Sequence, residues 1–239
     1  MMNMIKYVFI VICIGCLCSC YNKEATKELK KAIWNDDLSG AALLLKSKAN
    51  PNGMIEFGKG SFLYYATAAN NKEMVLLLLK YGADPNYGGE RPTPLLECAT
   101  HNNPVIAQVL IDNGADCNLS DKILKITPLI SAIERSNSEI FNLLIANNVD
   151  INKKGKRTSP LRVAAFYHEQ EMLKVLLDKG ANATVEAFLA ATSDDKNEFR
   201  TIRNLIYSKM SQKEKDKLKQ YYIDRGIKLY DGYPPYVVY

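Results

Sequence analysis

Apolar positions recur along most of the chain in short bursts at helical spacing. EMVLLLLKYG (73–82), VIAQVLIDNG (105–114), EIFNLLIANN (139–148) and EMLKVLLDKG (171–180) each carry one apolar stripe and end in Gly or Asn. That is the pattern of an amphipathic helix stopped at its C-cap. Each predicted helix has two or three turns, and isolated helices below about 12–15 residues are marginal in water. They must therefore be held by stacking on one another. KELKKAIWNDDLSGAALLLKSKANPN (27–52) predicts a further helix pair, and VEAFLAATSDDKNEFRTIRNLIYSK (185–209) two more stripes. Residues 7–19, YVFIVICIGCLCS, differ from all of these in being an uncharged apolar run.

The bursts are in register with two landmarks. KSKANPN, KYGADPN, DNGADCN, ANNVDIN and DKGANAT end at Asn52, Asn86, Asn118, Asn152 and Thr184, spaced by 34, 32, 34 and 32 residues. SFLYYA, TPLLEC, TPLISA and SPLRVA begin at Ser61, Thr93, Thr127 and Ser159, spaced by 32, 34 and 32. The second landmark resembles the T-P-L-H-x-A signature of ankyrin repeats, whose unit of about 33 residues is a β-turn and two helices. Thr93 and Thr127 suit N-caps, with Pro94 and Pro128 in the first turn. Leu95 and Leu129 point inward, and Ala66, Cys98, Ala132 and Ala164 fall where helices approach closely. Asn70, Asn102, Ser136 and His168 stand where the family has a turn Gly, His168 being the departure. The resemblance implies an all-α fold, a solenoid of helix-turn-helix units with short inter-repeat loops. About five units and a degenerate cap are expected over residues 26–212.

The apolar run at the N-terminus reads as an export signal: it follows one positive charge, Lys6, and falls short of the roughly 20 residues of a membrane span. Leu17-Cys18-Ser19-Cys20 resembles the bacterial lipoprotein signal. By that resemblance residues 1–19 are a signal peptide, Cys20 is lipidated, and 20–25 form a short linker. Ile14-Gly15-Cys16 is a rival register that would lipidate Cys16. Lipoprotein sorting, in which Asp after the cysteine retains the inner membrane, implies that Tyr21 directs the protein to the outer membrane, facing the periplasm, in a Gram-negative source. Residues 213–239 form a basic, Tyr/Pro-rich tail ending in YPPYVVY, extended at its prolines.

A net charge of +5 from 31 basic and 26 acidic residues mixes both signs, which argues against nucleic acid as partner. GMIEFGKGS (53–61) satisfies G-x-x-x-x-G-K but has Gly60 where Ser or Thr is required, and it falls in an inter-repeat loop. HEQEM lacks the second His of a zincin helix, and SDDKNE lacks calcium-loop spacing. Cys98 and Cys117 read as small buried hydrophobes, with a disulfide as the alternative open to an exported protein. No cofactor is expected.

A surface remains. Ankyrin relatives bind proteins through loop tips and the face of the first helices. By position this implies His101, Arg135 and Tyr167, beside Phe166, with the tips adding Phe57, Arg91, Lys125, Lys154, Lys156 and Arg157. Aromatic and Arg side chains are frequent anchors. The expected function is a non-catalytic, monomeric protein-interaction module tethered by lipid to the bacterial envelope, a scaffold or inhibitor of an acidic partner. The alternative is a lipid-anchored metal-binding protein or enzyme using His101 and His168.

Overall fold

A computed structural model describes residues 21–55, 59–122, 125–156, 158–191 and 196–225. The signal segment with Cys16 and Cys20, the tip residues Phe57 and Arg157, Ser193–Asp195 and the YPPYVVY end lie outside the described residues. Two compact units divide the chain, Met1–Arg91 and Pro92–Tyr239.

The first unit holds α1 (Lys23–Trp34), α2 (Leu38–Lys46), the two-residue strands β1 (Met54–Ile55) and β2 (Gly60–Ser61), α3 (Phe62–Ala68) and α4 (Lys72–Lys80). Helix α1 starts within the stretch read as a linker, because the Asn22 side chain accepts the N–H of Ala25 at 3.0 Å and caps it. Helix α1 packs on α2 and α3, and α2 on α4. Strands β1 and β2 pair antiparallel, Met54 opposite Ser61. Here the N–H groups of Lys59, Ser61 and Phe62 donate to the carbonyls of Ile55, Gly88 and Gly53 at 2.8, 2.9 and 2.9 Å. A phosphate cradle needs such donors turned outward; these close a hairpin.

The second unit continues with α5 (Pro94–His101), α6 (Pro104–Asp112), α7 (Pro128–Glu134), α8 (Ser138–Ala146), α9 (Pro160–Phe166), α10 (Gln170–Asp178), α11 (Val185–Ala190), α12 (Lys196–Lys209) and α13 (Gln212–Ile223). The first helices of successive repeats lie side by side, α5 on α7, α7 on α9 and α9 on α11. The fold class is the expected all-α helical-repeat solenoid, with only the small β1–β2 sheet among the described residues.

Side-chain chemistry sets each repeat. Thr93, Thr127 and Ser159 accept the N–H groups of Leu96, Ile130 and Arg162 at 3.3, 3.2 and 3.3 Å, with Pro next in each helix. Leu95, Leu129 and Leu161 are buried, and so are Cys98, Ala132 and Ala164 one turn on, where a longer side chain would push the neighbouring helix away. Asn102, Ser136 and His168 all take the left-handed conformation, with φ of 54°, 55° and 61°. The recurring Asn of the first landmark ties one repeat to the next: Asn118 Oδ1 accepts the N–H of Asp150 at 2.7 Å, and Asn152 Oδ1 that of Asn182 at 2.8 Å. Asn52 does the same for Asp84 in the first unit.

The stack ends on a third helix that the two C-terminal stripes do not announce. Ser211 and Glu214 form a capping pair at the start of α13, and Glu214 also accepts the N–H of Val185 at 3.0 Å, which ties α13 to α11. Leu218 and Tyr222 are buried, so the basic first half of the tail is a packed helix.

Candidate interaction surface

Helices α5, α7 and α9 of the second unit each leave their C-terminal end exposed. His101 closes α5, where its Nδ1 lies 3.1 Å from Glu97 Oε1. Arg135 is the exposed C-cap of α7. Beside it, burial pushes the Glu134 carboxyl above the ordinary range, a shift the Arg135 charge partly opposes. Phe166 and Tyr167 end α9 with 55% and 47% of their surface exposed, their rings edge to face at 5.1 Å. Two adjacent rings left in water by a helix that buries Leu161, Val163, Ala164 and Ala165 are a candidate docking feature.

The loop tips form the second part. Gly155 donates its N–H to the Thr158 carbonyl at 2.8 Å, closing a tight tip between the exposed Lys154 and Lys156. A Cβ on Gly155 would stand 3.2 Å from the Lys125 carbonyl oxygen, so this tip runs directly against the preceding one. Lys125, Lys154 and Lys156 therefore share one edge of the second unit. Arg91 lies exposed in the first unit.

Between the tip and α11 lies a cleft of about 820 Å³. Lys154, Lys156 and Arg162 border it with Glu186, and Leu189 and Ala190 supply apolar lining. Sequence reasoning missed Arg162, Glu186 and Leu189. The signal was present: Arg162 takes the fourth position of SPLRVA, which Leu96 and Ile130 fill with buried apolar side chains. Trp34 was missed as well. This single Trp of the chain ends α1 with 71% exposure, its ring 6.5 Å from that of Tyr65, so the first unit offers more than the alanines its first-helix ends suggest.

The two histidines sit at different kinds of position. His101 ends a helix, whereas His168 occupies a left-handed turn with its Nδ1 buried and unpaired. Among the described residues no three His, Cys, Asp or Glu side chains gather as a metal-binding group. Cys98 and Cys117 are free and buried, as expected of small hydrophobes. Burial pushes the Cys98 thiol up to about 12 and that of Cys117 in the same direction. No described helix is long and apolar enough to cross a membrane.

The family model for ankyrin repeats in three copies matches residues 29–121 and 95–187. A stretch of 107 residues, 42% of the chain, is 33% identical to an ankyrin repeat protein of fowlpox virus. That stretch covers 16% of the viral protein's length.

Proposed function

The chain belongs to the ankyrin-repeat family, a protein-interaction fold, and from that premise we propose a lipid-tethered scaffold or inhibitor that holds one protein partner on the exposed first-helix ends and loop tips of residues 92–239. The observation that carries the reading is the exposed Phe166–Tyr167 pair at the C-terminal end of α9, the helix that follows the tip bearing Lys154 and Lys156. Aromatic rings that cost little side-chain entropy to dock, rimmed by cations, are what hot spots are built from. His101, Arg135 and Lys125 extend the surface along the same unit.

The anchor half of the proposal rests on Leu17-Cys18-Ser19-Cys20 and on the apolar run before it. With Asn22 capping α1, a lipid on Cys20 holds the repeats against the envelope surface through very little free chain. Labelling with radioactive palmitate, compared between wild type and Cys20→Ala, tests this. Label lost in the variant is the expected result; label that persists there and vanishes in Cys16→Ala moves the mature start. The partner half is tested with residues 21–239 as bait against envelope and secreted fractions. A saturable partner lost on Arg135→Ala and Tyr167→Ala substitution is expected, and capture indifferent to both changes removes the surface from the proposal.

A further inference from the structure

The cleft beside α11 sets the chemistry of what the surface takes. Its cationic side is dense: Lys154 and Lys156 flank Gly155 on one tip, Arg162 stands in the first turn of α9, and Lys125 lies on the adjoining tip. Neither Lys154 nor Lys156 has an ion-pair partner among the described residues. Arg162 and Phe166 are four residues apart on α9, one turn and about 6 Å along the axis. Phe166 thus stands one turn beyond the cleft lining, on the same face of α9 as Arg162. Across it stand Glu186 and the apolar Leu189.

We propose that this cleft binds an extended acidic peptide segment of the partner, its carboxylates on Lys154 and Lys156 and an adjoining apolar side chain against Phe166. The inference rests on the interaction reading above and names the partner chemistry at that site. A peptide fits better than a polyanion for two reasons. Glu186 repels a phosphate backbone, while a peptide supplies backbone N–H groups that this carboxylate can accept. The apolar lining and the ring at the helix end give nothing to a phosphodiester but bury a Leu or Phe.

The test uses a fluorescein-labelled peptide in which Asp and Glu alternate on both sides of a Phe-Leu pair, titrated with residues 21–239 and read by anisotropy. A peptide with Asn and Gln in place of the acids is the control. The acidic peptide should bind saturably, with affinity falling roughly tenfold between about 50 and about 300 mM salt. Lys154→Ala with Lys156→Ala should weaken binding roughly tenfold or more, and Phe166→Ala should weaken both peptides alike. Lys72→Ala, an exposed change in the first unit, should leave it unaltered. Thermal melts by circular dichroism establish that each variant is folded, and Lys154→Gln serves if the double variant is not. Equal binding of the neutral peptide overturns the inference. So does stronger competition through the same lysines by a single-stranded oligonucleotide or by phosphatidylglycerol vesicles. A captured partner that survives loss of both lysines but not of Arg135 and Tyr167 sinks the cleft while leaving the interaction reading intact.

Discussion

At the scale of single residues the unusual positions are those where the repeat pattern is kept by a residue that suits it poorly. His168 takes a φ of 61°, which costs an L-residue of its kind roughly 1–2 kcal/mol, and its Nδ1 is buried without a partner. His168→Gly should therefore raise stability by about 1 kcal/mol in urea unfolding, whereas Asn102→Gly, where Asn already tolerates the turn, should change little. Asn137 is the opposite case. Its Nδ2 donates to the Ala99 carbonyl at 2.7 Å in a buried site, so Asn137→Ala should cost about 1–3 kcal/mol. Cys98 adds a pH dependence. Its folded value of about 12 lies above the ordinary 9.0, so the unfolded chain releases this proton first and the native state loses stability as pH rises from 9 towards 12. The slope for one thiol is at most about 1.4 kcal/mol per pH unit. Urea midpoints across that range should fall less steeply in Cys98→Ala than in wild type.

At the scale of elements the short helices depend on their joints. Glu214 serves three joints at once: Lys217 at 2.5 Å, the Val185 N–H, and the capping pair with Ser211. The bond from Lys217 holds its carboxyl below the ordinary 4.5, against the opposing effect of burial. A depressed folded value contributes stability above the unfolded pKa and loses it as pH falls through the folded one. Glu214→Gln should lower stability by about 1 kcal/mol near neutrality and flatten the loss below pH 4.5. Unchanged acid unfolding would show that α13 does not depend on this carboxylate. The helix was not legible as part of the stack because QKEKDKLKQYYI has a weak apolar stripe; Leu218 and Tyr222 become core only when α13 packs on α11.

At the scale of the molecule, a stack in which each repeat touches its neighbours has a stability that is close to a sum of local terms. Asn137 and Glu214 act at different joints of the second unit, with no shared partner. Combining Asn137→Ala with Glu214→Gln should then cost the sum of the two within about 0.5 kcal/mol. A deficit larger than the sum would mean that the helix stack transmits strain across a whole repeat. The same additivity suits a binding surface: α5, α7 and α9 each place their own exposed end, so Arg135 or Phe166 can change without disturbing the repeat that presents it.

The sequence by itself determined the repeat. Capping, left-handed turns and close helix packing are local demands that only a few residue types meet, so Thr93, Thr127, Cys98, Ala132 and Asn102 could be placed before any coordinates. The exposed ends His101, Arg135, Phe166 and Tyr167 follow from the same register, as do the tip lysines 125, 154 and 156. Only the tertiary structure decided what those exposed residues stand beside. Arg162 from α9 and Glu186 and Leu189 from α11 reach one cleft, and Trp34 is left in water at the end of α1. Neither fact has a period in the chain, because a cleft depends on distances between elements, and those are set by packing.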